Sequence, residues 1–217
     1  IELLRPFITD SRLERLDSVL GLRTRALCLV VEELKQEHNL GALMRSADIF
    51  GLQDIHLISD RYAHKLAKAI SKGARDWVDL HNYGQQGTAA QDCVQNLKAQ
   101  GYKLVVAHPE DAHWDWNNYQ FKEPIALVMG SEWEGISDYM LEQADYRIAI
   151  PQYGFTQSLN VSVSAGILLS KFRAALDKSD FAWQLSEPEK QSILLKWMKN
   201  TLGHQRAEKI LEHQMQA

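Results

Sequence analysis

The chain is poor in several kinds of raw material. Only two of its 217 residues are cysteines, Cys28 and Cys93, with no C-x-x-C spacing, so neither a disulfide framework nor a metal ribbon is available. They read as buried thiols of a cytoplasmic protein. No apolar run approaches the roughly 20 residues of a membrane span, and the first residues carry no signal-peptide pattern. Positive charge is not in excess. Twenty-four Lys and Arg stand against 28 Asp and Glu, for a net charge of −4, so a case for nucleic acid must come from local patches. G-x-G-x-x-G and G-x-x-x-x-G-K-[ST] are also missing, which removes the Rossmann dinucleotide site and the P-loop. With 24% charged and 45% hydrophobic residues, the rest has the balance of a globular domain.

What is present is apolar in short bursts. Six runs, at 27–34, 54–59, 77–83, 103–108, 124–130 and 146–151, are mostly rich in Val, Ile and Leu, as strands covered on both faces require. Helical stretches at 40–50, 61–74, 88–100 and 137–144 lie between them. The alternation predicts an α/β fold: a mostly parallel sheet with helices on both faces. The ends differ. Residues 11–25 read as an amphipathic helix with Asp10 or Ser11 as cap, and the chain after Asp177 reads as two helices, with Ser186 a cap and Pro188 in the first turn. The expected organisation is a helical extension at 1–26, a core at 27–173 and a second helical extension at 174–217.

Ligands of such sheets sit beyond the carboxyl ends of the strands, which makes three exits the segments to read. After the first strand, "EHNLGALMRSADIFG" offers Asn39 as a cap and Arg45 three residues before Asp48, an arrangement that also suits a surface ion pair. After the fifth, "MGSEWEGIS" offers Gly130 and Gly135 for tight turns or close approach. After the sixth, "IPQYGFTQSLNVSVSAG" admits a strand by its alternation and a helix by Leu159, Val163 and Ile167. We read it as a helix capped by Ser158, starting near Leu159 and burying those three, with Ser162, Ala165 and Gly166 leaving room for close packing.

These three segments resemble, in order and spacing, the motifs of the SpoU/TrmH-type RNA 2′-O-methyltransferases of the SPOUT superfamily, nearest to their tRNA (guanosine 18) TrmH branch. The resemblance covers about 27–173; Trp133 stands where many members carry glycine. It implies a deep trefoil knot formed by segments around 129–135 and 150–166, which would give the small residues at Gly154, Ser162, Ser164, Ala165 and Gly166 a reason. It implies S-adenosylmethionine held largely by backbone at Ala107, Gly130, Ile150 and Leu159, and a homodimer burying the knot. It implies Arg45 as the principal catalytic residue, with Asn39, Glu132, Ser158 and Asn160 around it. Simple helix capping is the alternative for Ser158 and Asn160. No metal is implied.

For RNA, Arg61, Lys65, Lys68, Lys72 and Arg75 recur at helical spacing with no acid among residues 61–75, so one face would carry five positive charges. A solvated surface is the plain alternative. Trp114 and Trp116 suit loop packing or base stacking. The expected activity is ribose 2′-O-methylation in structured RNA, foremost guanosine 18 of the tRNA D-loop. The alternatives are ribosomal RNA methylation, a catalytically inactive RNA-binding homologue, and a small-molecule α/β enzyme.

Overall fold

The structure, a computed structural model, describes residues 1–59, 76–84, 87–109, 119–131 and 134–215. These form two compact units, residues 25–183 and a helical unit of residues 1–24 with 184–217.

The larger unit is built on six strands: β1 (Leu27–Glu32), β2 (Asp54–Ile58), β3 (Asp79–Tyr83), β4 (Lys103–Ala107), β5 (Ile125–Met129) and β6 (Tyr146–Ile148). Their order is β3-β2-β1-β5-β4-β6, and every pairing is parallel. The expected α/β sheet is therefore present in wholly parallel form. β1 and β5 are buried along their entire length, as strands covered on both faces must be. Leu27, Leu29 and Val31 point to one face, where α2 (Glu37–Ile49) and α5 (Val161–Asp177) cover them with Leu40, Leu43, Met44, Ala47, Ala165, Leu168 and Phe172. Cys28 and Val30 point to the other, under α3 (Ala89–Ala99) and α4 (Asp138–Gln143). Both cysteines are buried free thiols, as expected.

In the helical unit a 3₁₀ turn (Arg5–Phe7) leads into α1 (Asp10–Leu20), and α6 (Glu187–Leu202) is followed by α7 (His204–Met215). α1 starts one residue before Ser11, with Thr9 at its N-cap. α6 begins as the sequence predicts: Ser186 forms a capping box with Glu189, whose carboxylate accepts from the Ser186 amide at 2.8 Å. Arg23, 1% exposed, lays its guanidinium 5.2 Å over the ring of Trp197. Among the described residues no helix is long and apolar enough to cross a membrane.

A polar ladder runs along β2 and β3. Parallel register aligns Asp54 with Asp79, His56 with His81 and Ile58 with Tyr83, which stacks the first two pairs and Tyr83 on one face. Two facing carboxylates would repel, but Arg25 bridges them, 2.8 Å from Asp79 and bonded also to Asp54. His81 Nε2 lies 2.8 Å from the Asp54 carboxylate, and its ring stacks on His56 at 4.5 Å. Burial pushes the Asp54 carboxyl up, yet the His81 hydrogen bond and the Arg25 charge outweigh it and hold the group below the usual range. Burial, then the neighbouring His81, pushes His56 down to about 4.

His56 is therefore neutral in the folded protein at pH values where the unfolded chain binds a proton. Its share of stability is complete above the unfolded value of about 6.5 and declines as pH falls towards 4, by about 3 kcal/mol in all. Urea denaturation at stepped pH checks this: His56→Gln should flatten the fall in stability between pH 6.5 and 4 by that amount.

Candidate active site

The strand order places the crevice. From β1 the chain crosses through α2 to β2 on one side of the sheet, whereas from β5 it passes through α4 to β6 on the other. Adjacent strands whose connections diverge leave an opening beyond their carboxyl ends. The exits of β1 and β5 line it, with those of β4 and β6 alongside.

At the exit of β1, Glu33 adopts φ 49°, a left-handed conformation rare outside glycine, while its N–H donates to the Ile58 carbonyl at 2.8 Å. α2 then starts earlier than the sequence suggests. Gln36, not Asn39, is its N-cap, and Asn39 sits in the first turn, only 2% exposed. A buried amide must be hydrogen-bonded. Asn39 Nδ2 donates to Gln36 Oε1 at 3.2 Å, and its Oδ1 accepts from Asn160 Nδ2 at 3.2 Å. Asn160 is itself the N-cap of α5, its Oδ1 accepting from the Ser162 amide at 2.9 Å and the Ser162 hydroxyl at 2.6 Å. Helix α5 thus begins at Val161, and Ser158 is not its cap: the asparagine reaches the free amide two residues on and binds a second asparagine with its other end. Arg45 stands on the exposed side of α2, roughly 9 Å along the axis from Asn39.

The buried face of α5 also differs from the expected one. Val161, Ala165, Leu168, Leu169, Phe172 and Leu176 face the core, while Leu159 is 40% and Val163 49% exposed and Ile167 is half-buried. Of the Leu159, Val163, Ile167 stripe expected to be buried, Val163 and Ile167 thus form a second apolar side of the helix, and Leu159 lies just before its cap. Nor do Gly154 and Gly166 answer to close packing within this chain, since a Cβ on either would meet nothing within 4 Å.

Close approach occurs at the β5 exit instead. A Cβ on Gly130 would lie 2.2 Å from the Gly135 carbonyl oxygen. Ser131 and Gly135 exchange backbone hydrogen bonds of 3.0 and 3.1 Å, with Gly135 at φ 69°, and the Glu134 amide donates to Ser131 Oγ at 3.1 Å. From the β1 exit, Lys35 Nζ reaches Glu134 at 3.0 Å. At the ends of β4 and β6, Ala107 and Ile150 are partly buried against the core, and the His108 amide donates to the Ile148 carbonyl at 2.9 Å. Residues 151–160 are exposed, Tyr153 and Phe155 almost completely.

Structure therefore brings Asn39 and Asn160 into contact and sets Ala107, Gly130 and Ile150 at strand exits. Glu132, Trp133, Trp114, Trp116 and the basic residues Arg61, Lys65, Lys68, Lys72 and Arg75 lie outside the described residues. Sequence reasoning missed Gln36 and Glu32. The second had a signal: a carboxylate closing an otherwise apolar strand.

This is the crevice of an open α/β enzyme whose walls are backbone and amides rather than a charged motif. Residues 26–170 match the SpoU rRNA Methylase family, and the chain belongs to it. A tRNA (guanosine(18)-2'-O)-methyltransferase of Borreliella burgdorferi is 33% identical over 93% of this chain and 91% of its own. The crystal structure of the A. aeolicus TrmH/SpoU tRNA modifying enzyme is 30% identical, covers 89% of this chain and 98% of that one, and superposes with a TM-score of 0.76. An AdoMet-bound rRNA methyltransferase from Sinorhizobium meliloti shares the fold, at 22% identity over 72% of this chain and 59% of that one, with a TM-score of 0.62.

The two glycine environments predict opposite outcomes of one substitution. Gly130→Ala must displace the Gly135 backbone and should cost about 1–3 kcal/mol, as overpacking does. Gly166→Ala, inside a helix with open space around it, should gain about 0.5–1 kcal/mol. Chemical denaturation of both variants measures the contrast.

Proposed function

We propose that this chain methylates the ribose 2′-oxygen of guanosine 18 in the tRNA D-loop, with S-adenosylmethionine as donor. The observation that carries the reading is the Asn39–Asn160 hydrogen bond, which joins the first and third motifs at the mouth of the crevice. Membership of the family and the likeness to tRNA (guanosine-18) enzymes over nine-tenths of the chain support the RNA and the position.

The site suits a cofactor held by backbone. The Gly130 turn admits no side chain, and Ala107 and Ile150 present small or apolar groups at neighbouring exits. Ala107, Gly130, Ile150 and Leu159 would hold S-adenosylmethionine, which when bound supplies an electrophilic methyl group on a sulfonium. The chain's own residues must align the attacking oxygen, exclude water and handle the hydroxyl proton. Alignment is worth several kcal/mol of barrier. The guanidinium of Arg45 is the wrong group for a general base. It clamps the adjacent phosphate with paired donors and steadies the developing alkoxide. Asn39, Asn160 and Ser158 orient the ribose side of the site, and Glu132 orients Arg45 or a loop amide.

In this reading residues 27–173 form the methyltransferase domain, with helical extensions at 1–26 and 174–217, and the protein works in the cytoplasm. The segments around 129–135 and 150–166 make the trefoil knot. Arg61, Lys65, Lys68, Lys72 and Arg75 track the phosphate backbone. A homodimer buries the exposed side of α5; support for it comes from Val163, apolar yet open on that helix, and from Tyr153, Phe155 and Leu159 in the segment before it.

The test is direct. Purified protein, an unmodified tRNA transcript and S-adenosylmethionine should yield a single 2′-O-methyl group at guanosine 18; methylation of ribosomal RNA and not of tRNA would overturn the assignment. In single-turnover assays Arg45→Ala should lose about 10²–10³-fold, the scale of one oxyanion donor. Arg45→Lys should retain a small fraction that fades as pH approaches 10, where a lysine loses its charge. A rise of the Lys variant through that pH, beyond the effect of hydroxide on wild type, would make residue 45 a base. Sedimentation of the wild type should report two chains at micromolar concentration, and Val163→Glu should shift it to one.

A further inference from the structure

We infer that Glu32 is a positioning residue for the cofactor site: from the end of the central strand it holds Ser137, and through it Gly135, against Gly130. The inference rests on the cofactor reading above. Glu32 closes β1 and is 3% exposed, a carboxylate after five apolar residues. A charge so placed is costly unless hydrogen-bonded donors meet it. Ser137 supplies two such donors, its amide at 2.9 Å and its hydroxyl at 2.6 Å. Ser137 is in turn the N-cap of α4, accepting from the Met140 amide at 3.3 Å. Capping alone needs only the serine. The carboxylate adds a tie from that cap to β1.

The loop's other end is referred to the same strand. β5 pairs with β1 as far as Val31 opposite Met129, and Gly130 follows directly. Between the two anchors the Ser131–Gly135 bridge closes the turn and Lys35, from the β1 exit, holds Glu134. Gly130 has no slack, since its missing Cβ would already overlap Gly135. A shift of Ser137 therefore passes through Gly135, two residues away, to Gly130, which packs directly on it. The arrangement makes β1 the common reference for the Asn39 side of the crevice and for its glycine side.

The experiment compares wild type, Glu32→Gln, Ser137→Ala, their combination and Ser137→Thr. Val94→Ala serves as control, a buried α3 position on the same face of the sheet. Calorimetry measures affinity for S-adenosylmethionine, and NMR measures exchange of the Ser137 amide in the cofactor-free protein. Gln keeps the shape of Glu32 but offers one acceptor oxygen, so Glu32→Gln should weaken binding about tenfold, the scale of one buried hydrogen bond to a charge, and speed Ser137 exchange. Ser137→Ala should weaken binding similarly, the double variant no further, and Ser137→Thr should restore it. Val94→Ala should lower the melting temperature with affinity within about twofold of wild type. If Glu32→Gln fails to fold, the Ser137→Ala and Ser137→Thr pair carries the test. Wild-type affinity in Glu32→Gln or Ser137→Ala, multiplicative losses in the double variant, or equal weakening in Val94→Ala would overturn the inference alone. A wild-type protein that binds no S-adenosylmethionine would overturn the cofactor reading and this inference together.

Discussion

Everything at the crevice depends on β5 lying between β1 and β4. An all-parallel sheet buried on both faces cannot turn back on itself with a hairpin, so each strand must leave through a crossover. Inserting the fifth strand beside the first makes two crossovers depart in opposite directions from neighbouring positions. The gap so created receives the first turn of α2, the glycine turn after β5 and, through β6, the approach to α5. No single segment makes the site; the strand order assembles it from parts more than a hundred residues apart.

Within that frame, amides and glycines replace the charged side chains common in cofactor sites. Asn39 is buried and is hydrogen-bonded to both Gln36 and Asn160, so the N-terminal turns of two helices share one polar link. A link of neutral groups changes little with pH or salt, which suits a surface meant to meet a polyanion. A separate ion-paired cluster, Arg25 with Asp54 and Asp79, lies at the far side of the sheet.

Much of the fold could be read from the chain because its signals are local. Runs of β-branched residues marked the strands to within two or three residues, and the Ser186–Glu189 box with Pro188 marked the start of α6. The three motifs identified the strand exits that form the crevice. What escaped was non-local. Asn160 outcompetes Ser158 as a cap because Asn39, distant in sequence, takes its other hydrogen bond. The buried side of α5 depends on where α2 lies, which periodicity cannot tell when two apolar stripes share one helix. The alternation of Asp and His along β2 and β3 becomes a ladder only in parallel register, and Glu32 has meaning only once Ser137 is beside it.

The helical unit has a consequence for synthesis. Its chain is discontinuous: α1 belongs to residues 1–24, whereas α6 and α7 belong to 184–217, with the whole of the larger unit spliced between them. On a ribosome α1 emerges before α6 and α7, and Leu16 and Leu20, buried in the folded unit, wait while the whole of the larger unit is translated. The parallel sheet, itself a slow topology, must form during that wait. The apolar face of α1 is therefore open during that interval, and the helical unit can close only after the segment that forms α6 has been made.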